Sequence, residues 1–287
     1  AYDPELDIMY FGVGNGTPWN HQKRSGGKGD NLFLSSILAL KPDTGEYVWH
    51  YQTTPAESWD YTATQHIMLA DLPIGGQTRR VVMQAPKNGF FYVLDAKSGQ
   101  LLSAEKFVPV DWALRVDLKT GRPVEAPGAR YEGGKSSDQM VGALGGHNWH
   151  PMAFSPRTGL VYIPAQYGRG FYADPEDFKF IPGAWNTGML RVADGPNAKP
   201  RLERPRRDRE EPRGELIAWD PVTQKKRWGV TFPQMATSGV LATDGGLVFH
   251  SAVGHFTAYD AATGKPVWSY STGARAIAPA LPLEQLV

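Results

Sequence analysis

A short turn, repeated along the chain, restricts the possible folds more than any other feature. Its clearest copies are Ala39-Leu40-Lys41-Pro42-Asp43-Thr44-Gly45 and Ala258-Tyr259-Asp260-Ala261-Ala262-Thr263-Gly264. A third copy is Ala218-Trp219-Asp220-Pro221-Val222-Thr223-Gln224. In each case a tryptophan follows four residues later: Trp49, Trp268 and Trp228. Two weaker copies, Leu94-Asp95-Ala96-Lys97-Ser98-Gly99 and Phe154-Ser155-Pro156-Arg157-Thr158-Gly159, lack the tryptophan. In such a turn the Asp and Thr side chains satisfy nearby backbone groups, and Gly takes up positive φ. A strand enters, a second strand leaves, and a large flat indole at a fixed place wedges between neighbouring units.

Strands are expected on either side of these turns, at Ser36–Leu40, Tyr47–Gln52, Arg80–Gln84, Phe90–Leu94, Leu160–Pro164, Glu215–Trp219, Leu247–Ser251 and Phe256–Tyr259. Almost nothing has helical periodicity. The expected class is therefore all-β. Trp228 and Trp268 are 40 residues apart, the repeat length of a β-propeller blade. Four blades are expected, over 1–64, 65–107, 150–232 and 238–272, with a fragment beyond. Long loops at 108–146 and 167–214, rich in Gly, Pro and charge, are expected to crowd the face that holds a site.

With 287 residues the chain is long enough for a large core. Its 30 basic and 29 acidic side chains leave a net charge of +1, which gives no electrostatic case for a nucleic-acid partner. The one basic cluster, Arg201 to Arg213, is interleaved with Glu203, Asp208, Glu210 and Glu211 and reads as a solvated loop. With no cysteine, disulfides and thiolate metal sites are excluded. No apolar run approaches the ~18 residues that span a bilayer. The first residues, Ala1 to Leu6, read like the interior of a domain rather than a signal peptide.

Three segments carry candidate chemistry: Gly14-Asn15-Gly16-Thr17-Pro18-Trp19-Asn20, Trp59-Asp60-Tyr61 and Ala85-Pro86-Lys87-Asn88-Gly89. They offer an amide, a carboxylate and a cation, each where a strand ends in a turn. Amide and carboxylate oxygens are hard ligands that suit calcium. A carboxylate beside a cation and a metal is equipped to remove a proton while negative charge develops nearby. Each residue also has a plainer reading. Asn15 between glycines is a natural turn residue, Asp60 a turn or cap carboxylate, and Asn88-Gly89 a hairpin signal with Lys87 at its mouth. His147 and His150 have poor spacing for zinc. Trp49, Trp228 and Trp268 read as packing residues, as do Met9, Met68, Met83 and Met152.

These residues in this order resemble the pyrroloquinoline-quinone (PQQ) dependent, or quinoprotein, alcohol dehydrogenases. The resemblance rests on Gly12 to Asn20, Gly29-Asp30-Asn31-Leu32-Phe33-Leu34, Trp59 to Gln65, Ala85 to Tyr92, Gly145-Gly146-His147-Asn148 and Phe154 to Gln166. It covers most of the chain to about Tyr270 and leans toward the ethanol-type members. It implies part of an eight-bladed propeller, with four to five blades in this chain, in which the tryptophan repeat is the family's docking motif. It further implies that Asn15 ligates Ca²⁺, with Asp60 beside it as metal ligand and catalytic base. Lys87 then hydrogen-bonds the quinone oxygens, and Asn148 contacts PQQ from a later blade. Ca²⁺ acts in such enzymes as a Lewis acid. The substrate would be a small primary alcohol, the electron acceptor a cytochrome c or a membrane quinone, and the location the periplasm. Lanthanide-using relatives carry an extra carboxylate two residues after the catalytic Asp; Thr62 stands there, which favours Ca²⁺.

The chain departs from the family pattern at Pro233 to Gly239, where a tryptophan is missing, and at Ala278 to Leu283. It matches only about half of a family propeller, so a second chain or further segment is expected to complete the ring. The alternative expectation, from a different class, is a non-catalytic propeller segment that binds a protein partner.

Overall fold

The computed structural model describes residues 1–175, 177–189, 211–235, 238–274, 276 and 278. Most of the basic cluster (201–210), two residues of the tryptophan-less stretch (236 and 237) and 279–283 of the divergent C-terminal segment lie outside the described residues.

The first sheet contains β1 (Tyr2–Asp3), β2 (Ile8–Gly12), β3 (Ser36–Leu40) and β4 (Tyr47–Gln52). A short helix, α1 (His21–Ser25), lies in the β2–β3 connection, capped by Asn20, whose side chain accepts from the Lys23 amide. The second sheet contains β5 (Met68–Ile74), β6 (Gln77–Gln84), β7 (Phe90–Asp95) and β8 (Leu101–Lys106). Next come a hairpin, β9 (Ala113–Asp117) with β10 (Arg122–Glu125), and the strand β11 (Ser136–Met140). The third sheet begins with β12 (Ala153–Ser155) and β13 (Leu160–Gln166). The chain then leaves it for β14 (Arg169–Ala173), which pairs with β11, and returns with β15 (Gly214–Asp220) and β16 (Lys225–Phe232). The fourth contains β17 (Val240–Ala242), β18 (Leu247–Ala252), β19 (His255–Asp260) and β20 (Pro266–Ser271). All four are antiparallel meanders in sequence order, as expected of propeller blades. The loops expected at 108–146 and 167–214 are thus partly strand: the β9–β10 hairpin and the β11–β14 pair.

The repeated turn does the same job in the second, third and fourth sheets. Its Asp accepts backbone amides, as in Ser98 N to Asp95 at 2.9 Å, Thr223 N to Asp220 at 3.0 Å and Thr263 N to Asp260 at 2.9 Å. A one-residue register shift just before the turn recurs at Ala39/Leu40, Val93/Leu94, Ala218/Trp219 and Ala258/Tyr259. Such a bulge bends the outgoing strand and tightens its twist.

Two of the junctions between neighbouring sheets are made by the tryptophan. Trp49 of β4 donates its indole N–H to the Ala96 carbonyl, in the second sheet's turn, at 3.0 Å, and the Tyr10 hydroxyl donates to the same oxygen at 3.0 Å. The junction of the third and fourth sheets repeats this arrangement. Trp228 of β16 donates to the Ala261 carbonyl at 3.1 Å, and Tyr162 to the same oxygen at 2.9 Å. The aromatic pairs match as well, with ring centroids 5.6 Å apart for Tyr10–Trp49 and 5.7 Å for Tyr162–Trp228. In both junctions the indole lies against the turn glycine. A Cβ built on Gly99 would stand 2.6 Å from the Trp49 ring, and one on Gly264 2.5 Å from Trp228. The glycine is therefore required by the close approach as much as by its positive φ.

Trp268, expected to be a packing residue, is 51% exposed on β20, because no described sheet follows the fourth. Of the four methionines expected in the core, Met68, Met83 and Met152 are buried and Met9 is half-buried.

Candidate active site

Asn15 lies just beyond β2, on a segment braced from both sides. Val13 N donates to Ser36 O at 2.8 Å, Ser35 N to Gly14 O at 2.8 Å, and Ala63 N to Val13 O at 3.0 Å. The approach of the 63 peptide is so close that a Cβ on Gly12 would lie 1.9 Å from Ala63 O. Asp60 lies in the connection from the first sheet to the second. Lys87 sits in the β6–β7 turn, as its Asn-Gly signal suggested, with Gly89 at φ +88°. The turn is anchored from below by Asn88, whose side-chain amide donates to the Thr53 carbonyl at 3.1 Å and to Tyr92 Oη at 2.8 Å.

The fold brings these three side chains together. Lys87 Nζ lies 3.0 Å from Asp60 Oδ2, both side chains largely shielded, and the Asn15 side chain hydrogen-bonds the same carboxylate. Burial lifts the Asp60 carboxyl above the usual carboxylate range. The Lys87 charge, the Lys87 hydrogen bond and the Asn15 hydrogen bond pull against that rise. The left-handed residue in this cluster is Asp60, at φ +67°, rather than Asn15. A non-glycine residue in that region costs about 1–3 kcal/mol and persists only where its surroundings fix it.

Those surroundings are unusually complete. Successive carbonyls of the Asp60 loop each accept from a side chain elsewhere in the chain. Arg130 Nη1 donates to Ala56 O at 2.6 Å, Arg24 Nη2 to Glu57 O at 2.7 Å and the Tyr131 hydroxyl to Ser58 O at 2.5 Å. The Tyr172 hydroxyl donates to Trp59 O at 2.9 Å, and Ser35 Oγ to Tyr61 O at 2.5 Å. The Arg130 guanidinium also lies over the Trp59 ring, 4.8 Å from its centroid. On the amide side, Glu57 Oε1 accepts from Trp59 N at 2.5 Å and Tyr61 N at 2.8 Å. Burial drives the Glu57 carboxyl up to about 7, even though these two amides and the charge of Arg24 pull it down. Sequence reading missed Glu57, Arg24, Arg130, Tyr131 and Tyr172. The only available signal was a carboxylate three residues before Asp60, and spacing alone does not reveal burial.

Asn148 is placed differently. Its loop abuts Lys87: Gly146 N donates to Lys87 O at 2.9 Å, and a Cβ on Gly145 would meet the Lys87 side chain at 2.6 Å. The Asn148 amide itself closes on its own loop, donating to Leu144 O at 3.0 Å and accepting from Trp149 N at 2.9 Å. His147 is buried between the carbonyls of Ala85 and His150, at 2.7 and 2.6 Å, so it ties this loop to the Lys87 turn.

Among the described residues no group of three or more His, Asp or Glu side chains is arranged to hold a metal. Asn15 and Asp60 fit as two of the six to eight oxygen ligands that Ca²⁺ takes. Lys87, on the same carboxylate, fits as a donor to an electron-rich oxygen.

Comparison with known proteins identifies the family. Residues 1–127 match the family model described as the PQQ glucose/ethanol/alcohol dehydrogenase β-propeller domain. Residues 210–286 match one described as outer membrane protein assembly factor BamB. The chain is 50% identical over 290 aligned positions to quinohemoprotein alcohol dehydrogenase ADH IIB of Pseudomonas putida, with 99% of this chain and 40% of that protein covered. The solved quinohemoprotein alcohol dehydrogenase of Comamonas testosteroni superposes with a TM-score of 0.87 at 45% identity, over 97% of this chain and 41% of that one. A europium-containing methanol dehydrogenase gives 0.86 at 35% identity, over 97% and 47%. The chain thus spans less than half the length of these relatives. Its sheets, its docked tryptophans and its sequence identity place it, as part of the propeller domain, in the PQQ-dependent (quinoprotein) alcohol dehydrogenase family.

Proposed function

We propose that the protein oxidises a small primary alcohol, ethanol-like in size, to the aldehyde, with PQQ and Ca²⁺ bound at the Asn15–Asp60–Lys87 cluster. The observation that carries this reading is the 3.0 Å contact between Lys87 Nζ and Asp60 Oδ2, in a carboxylate that Asn15 also touches. PQQ, when bound, supplies the two-electron acceptor, and Ca²⁺ supplies Lewis acidity beside it. The chain's own residues do the rest. Asn15 and Asp60 offer the metal an amide and a carboxylate oxygen. Asp60 takes the hydroxyl proton of the alcohol as general base, and its raised pKa brings it nearer to the operating pH. Lys87 keeps that carboxylate ionised in its shielded position and presents N–H groups to the cofactor's oxygens. Asn148 contacts the cofactor from the loop packed on Lys87. Thr62, in place of a further carboxylate, favours Ca²⁺ over a lanthanide.

Electrons pass on to a cytochrome c or a membrane quinone, and the reaction is periplasmic. No helix among the described residues is long and apolar enough to cross a membrane. Calorimetric titration of PQQ into the purified protein, with and without Ca²⁺, tests the reading. Saturable, calcium-dependent binding that weakens at least tenfold in Lys87→Ala is expected. Binding that ignores both calcium and Lys87 would overturn it.

A further inference from the structure

Glu57 is a fully buried carboxylate that the reaction proposed above does not use. One of its oxygens, Oε1, receives the amides of Trp59 and Tyr61, which bracket Asp60 in sequence. The other, Oε2, is buried without a hydrogen-bond partner. A buried carboxylate left half-satisfied is unfavourable for folding alone. A neutral acceptor would hold the two amides without burying a charge.

The placement makes sense through Asp60. The backbone there is left-handed, and the two peptide planes that flank a residue set its φ and ψ. The plane before Asp60 is fixed by Tyr172 on the Trp59 carbonyl. The plane after it is held by Glu57 on the Tyr61 amide. If that second hold is released, Asp60 is free to relax from its strained region, and its Cα–Cβ bond swings the carboxylate away from Lys87 and Asn15.

We infer that Glu57 is the positioning residue of Asp60. Its single acceptor oxygen locks the loop in the conformation that aims the Asp60 carboxylate into the cluster. This rests on the reading of Asp60 as the general base.

The test compares Glu57→Gln with Glu57→Asp, using Asp60→Ala as control. Glutamine keeps an acceptor at full reach and removes the charge. Aspartate keeps the charge but is one methylene too short to span both amides. Turnover of ethanol is followed with an artificial electron acceptor in the loaded enzyme. Hydrogen exchange of the Tyr61 amide is followed separately in cofactor-free protein. The expected result is that Glu57→Gln stays within threefold of the parent in kcat and keeps Tyr61 protected. Glu57→Asp is expected to lose at least tenfold in kcat with KM within threefold, and its Tyr61 amide to exchange at least tenfold faster. A purely structural role would lower the melting temperature of both variants and leave kcat per folded molecule unchanged, which overturns the inference. So does the reverse order, with Asp active and Gln impaired, because charge rather than reach would then be what matters. If Asp60→Ala turns over normally, the reading of Asp60 fails instead, while Tyr61 exchange still reports whether Glu57 holds the loop.

Discussion

Gln224 donates its side-chain amide to Ser103 Oγ at 2.9 Å, across the junction between the second and third sheets. In two other junctions a tryptophan meets a glycine at this place. Ser103 is four residues after Gly99, where a tryptophan would be, and Gln224 stands where the facing turn has glycine. The same amide donates to the Pro221 carbonyl at 3.1 Å, which replaces the bond an indole makes to Ala96 or Ala261. Two departures from the repeat are thus one coupled exchange. Gln224 has even kept the left-handed backbone, at φ +54°.

The exchange predicts non-additive stability. Ser103→Trp alone drives an indole into the Gln224 side chain and should cost about 1–3 kcal/mol. Ser103→Trp with Gln224→Gly restores the other pairing and should recover about 1 kcal/mol or more of that loss. Urea unfolding of the parent, both single variants and the double variant measures the coupling. Strict additivity would sink the idea.

Gly99 and Gly45 separate two costs that usually come together. Both have positive φ, +72° and +70°, so alanine at either should cost about 1–2 kcal/mol in backbone strain. Only at Gly99 does the new methyl meet the Trp49 ring, whereas nothing lies within 4 Å of one at Gly45. Gly99→Ala should therefore be the more damaging by about 1–3 kcal/mol. Thermal unfolding of the pair checks it, and equal losses would count against docking of Trp49 on the glycine.

Lys87→Met should raise the Asp60 pKa further. Burial already lifts it, and Lys87 is the larger of the two influences opposing that rise, Asn15 the smaller. A carbon-detected NMR titration of Asp60 in cofactor-free protein should show its midpoint moving to higher pH in Lys87→Met, and moving by less in Asn15→Ala. A midpoint that does not move would break the link between the two side chains.

His250 predicts an acid-sensitive component of stability. It is buried in the third and fourth sheets' apolar cluster, with Nδ1 3.2 Å from Ser238 Oγ and Nε2 without a partner. Burial lowers its pKa from the ordinary 6.5 to about 4. The unfolded chain therefore binds a proton at this site more readily than the folded one. The contribution is fully present above pH 6.5 and is lost as the pH falls through about 4. One such group changes the slope by at most ~1.4 kcal/mol per pH unit. Between pH 6 and 4.5, His250→Leu should flatten the stability profile by up to that amount. His147, also lowered to about 4, keeps the remaining slope from vanishing. An unchanged profile in His250→Leu would show that the folded protein takes up this proton easily.

Local chemistry made much of this protein legible. The Asp, the Thr or Ser and the Gly that mark most of the turns, and the alternation of the flanking strands, are short-range properties, so the strands at Ser36–Leu40 and Tyr47–Gln52 were placed to the residue. The Asn15 and Lys87 segments stood out because each follows a strand in a polar turn, whereas Asp60, expected at a strand end as well, lies in the connection between β4 and β5. Other features required distant groups to meet. The strands β9 to β11 and β14 are held by pairing with each other rather than by a strong pattern of their own. The exposure of Trp268 depends on which sheet lies beside it.

By itself the sequence determined the all-β repeat, the positions of its turns and the residue types available for chemistry, because those follow from backbone preferences a few residues long. Only the tertiary structure decided that Gln224 replaces a docked tryptophan. It alone decided that Asp60 takes the left-handed conformation, and that Glu57, Arg24, Arg130, Tyr131 and Tyr172 hold it there. The reason is that hydrogen bonds between residues more than a hundred positions apart, such as Tyr172 to Trp59 and Gln224 to Ser103, are set by packing, and no local pattern in the chain records them.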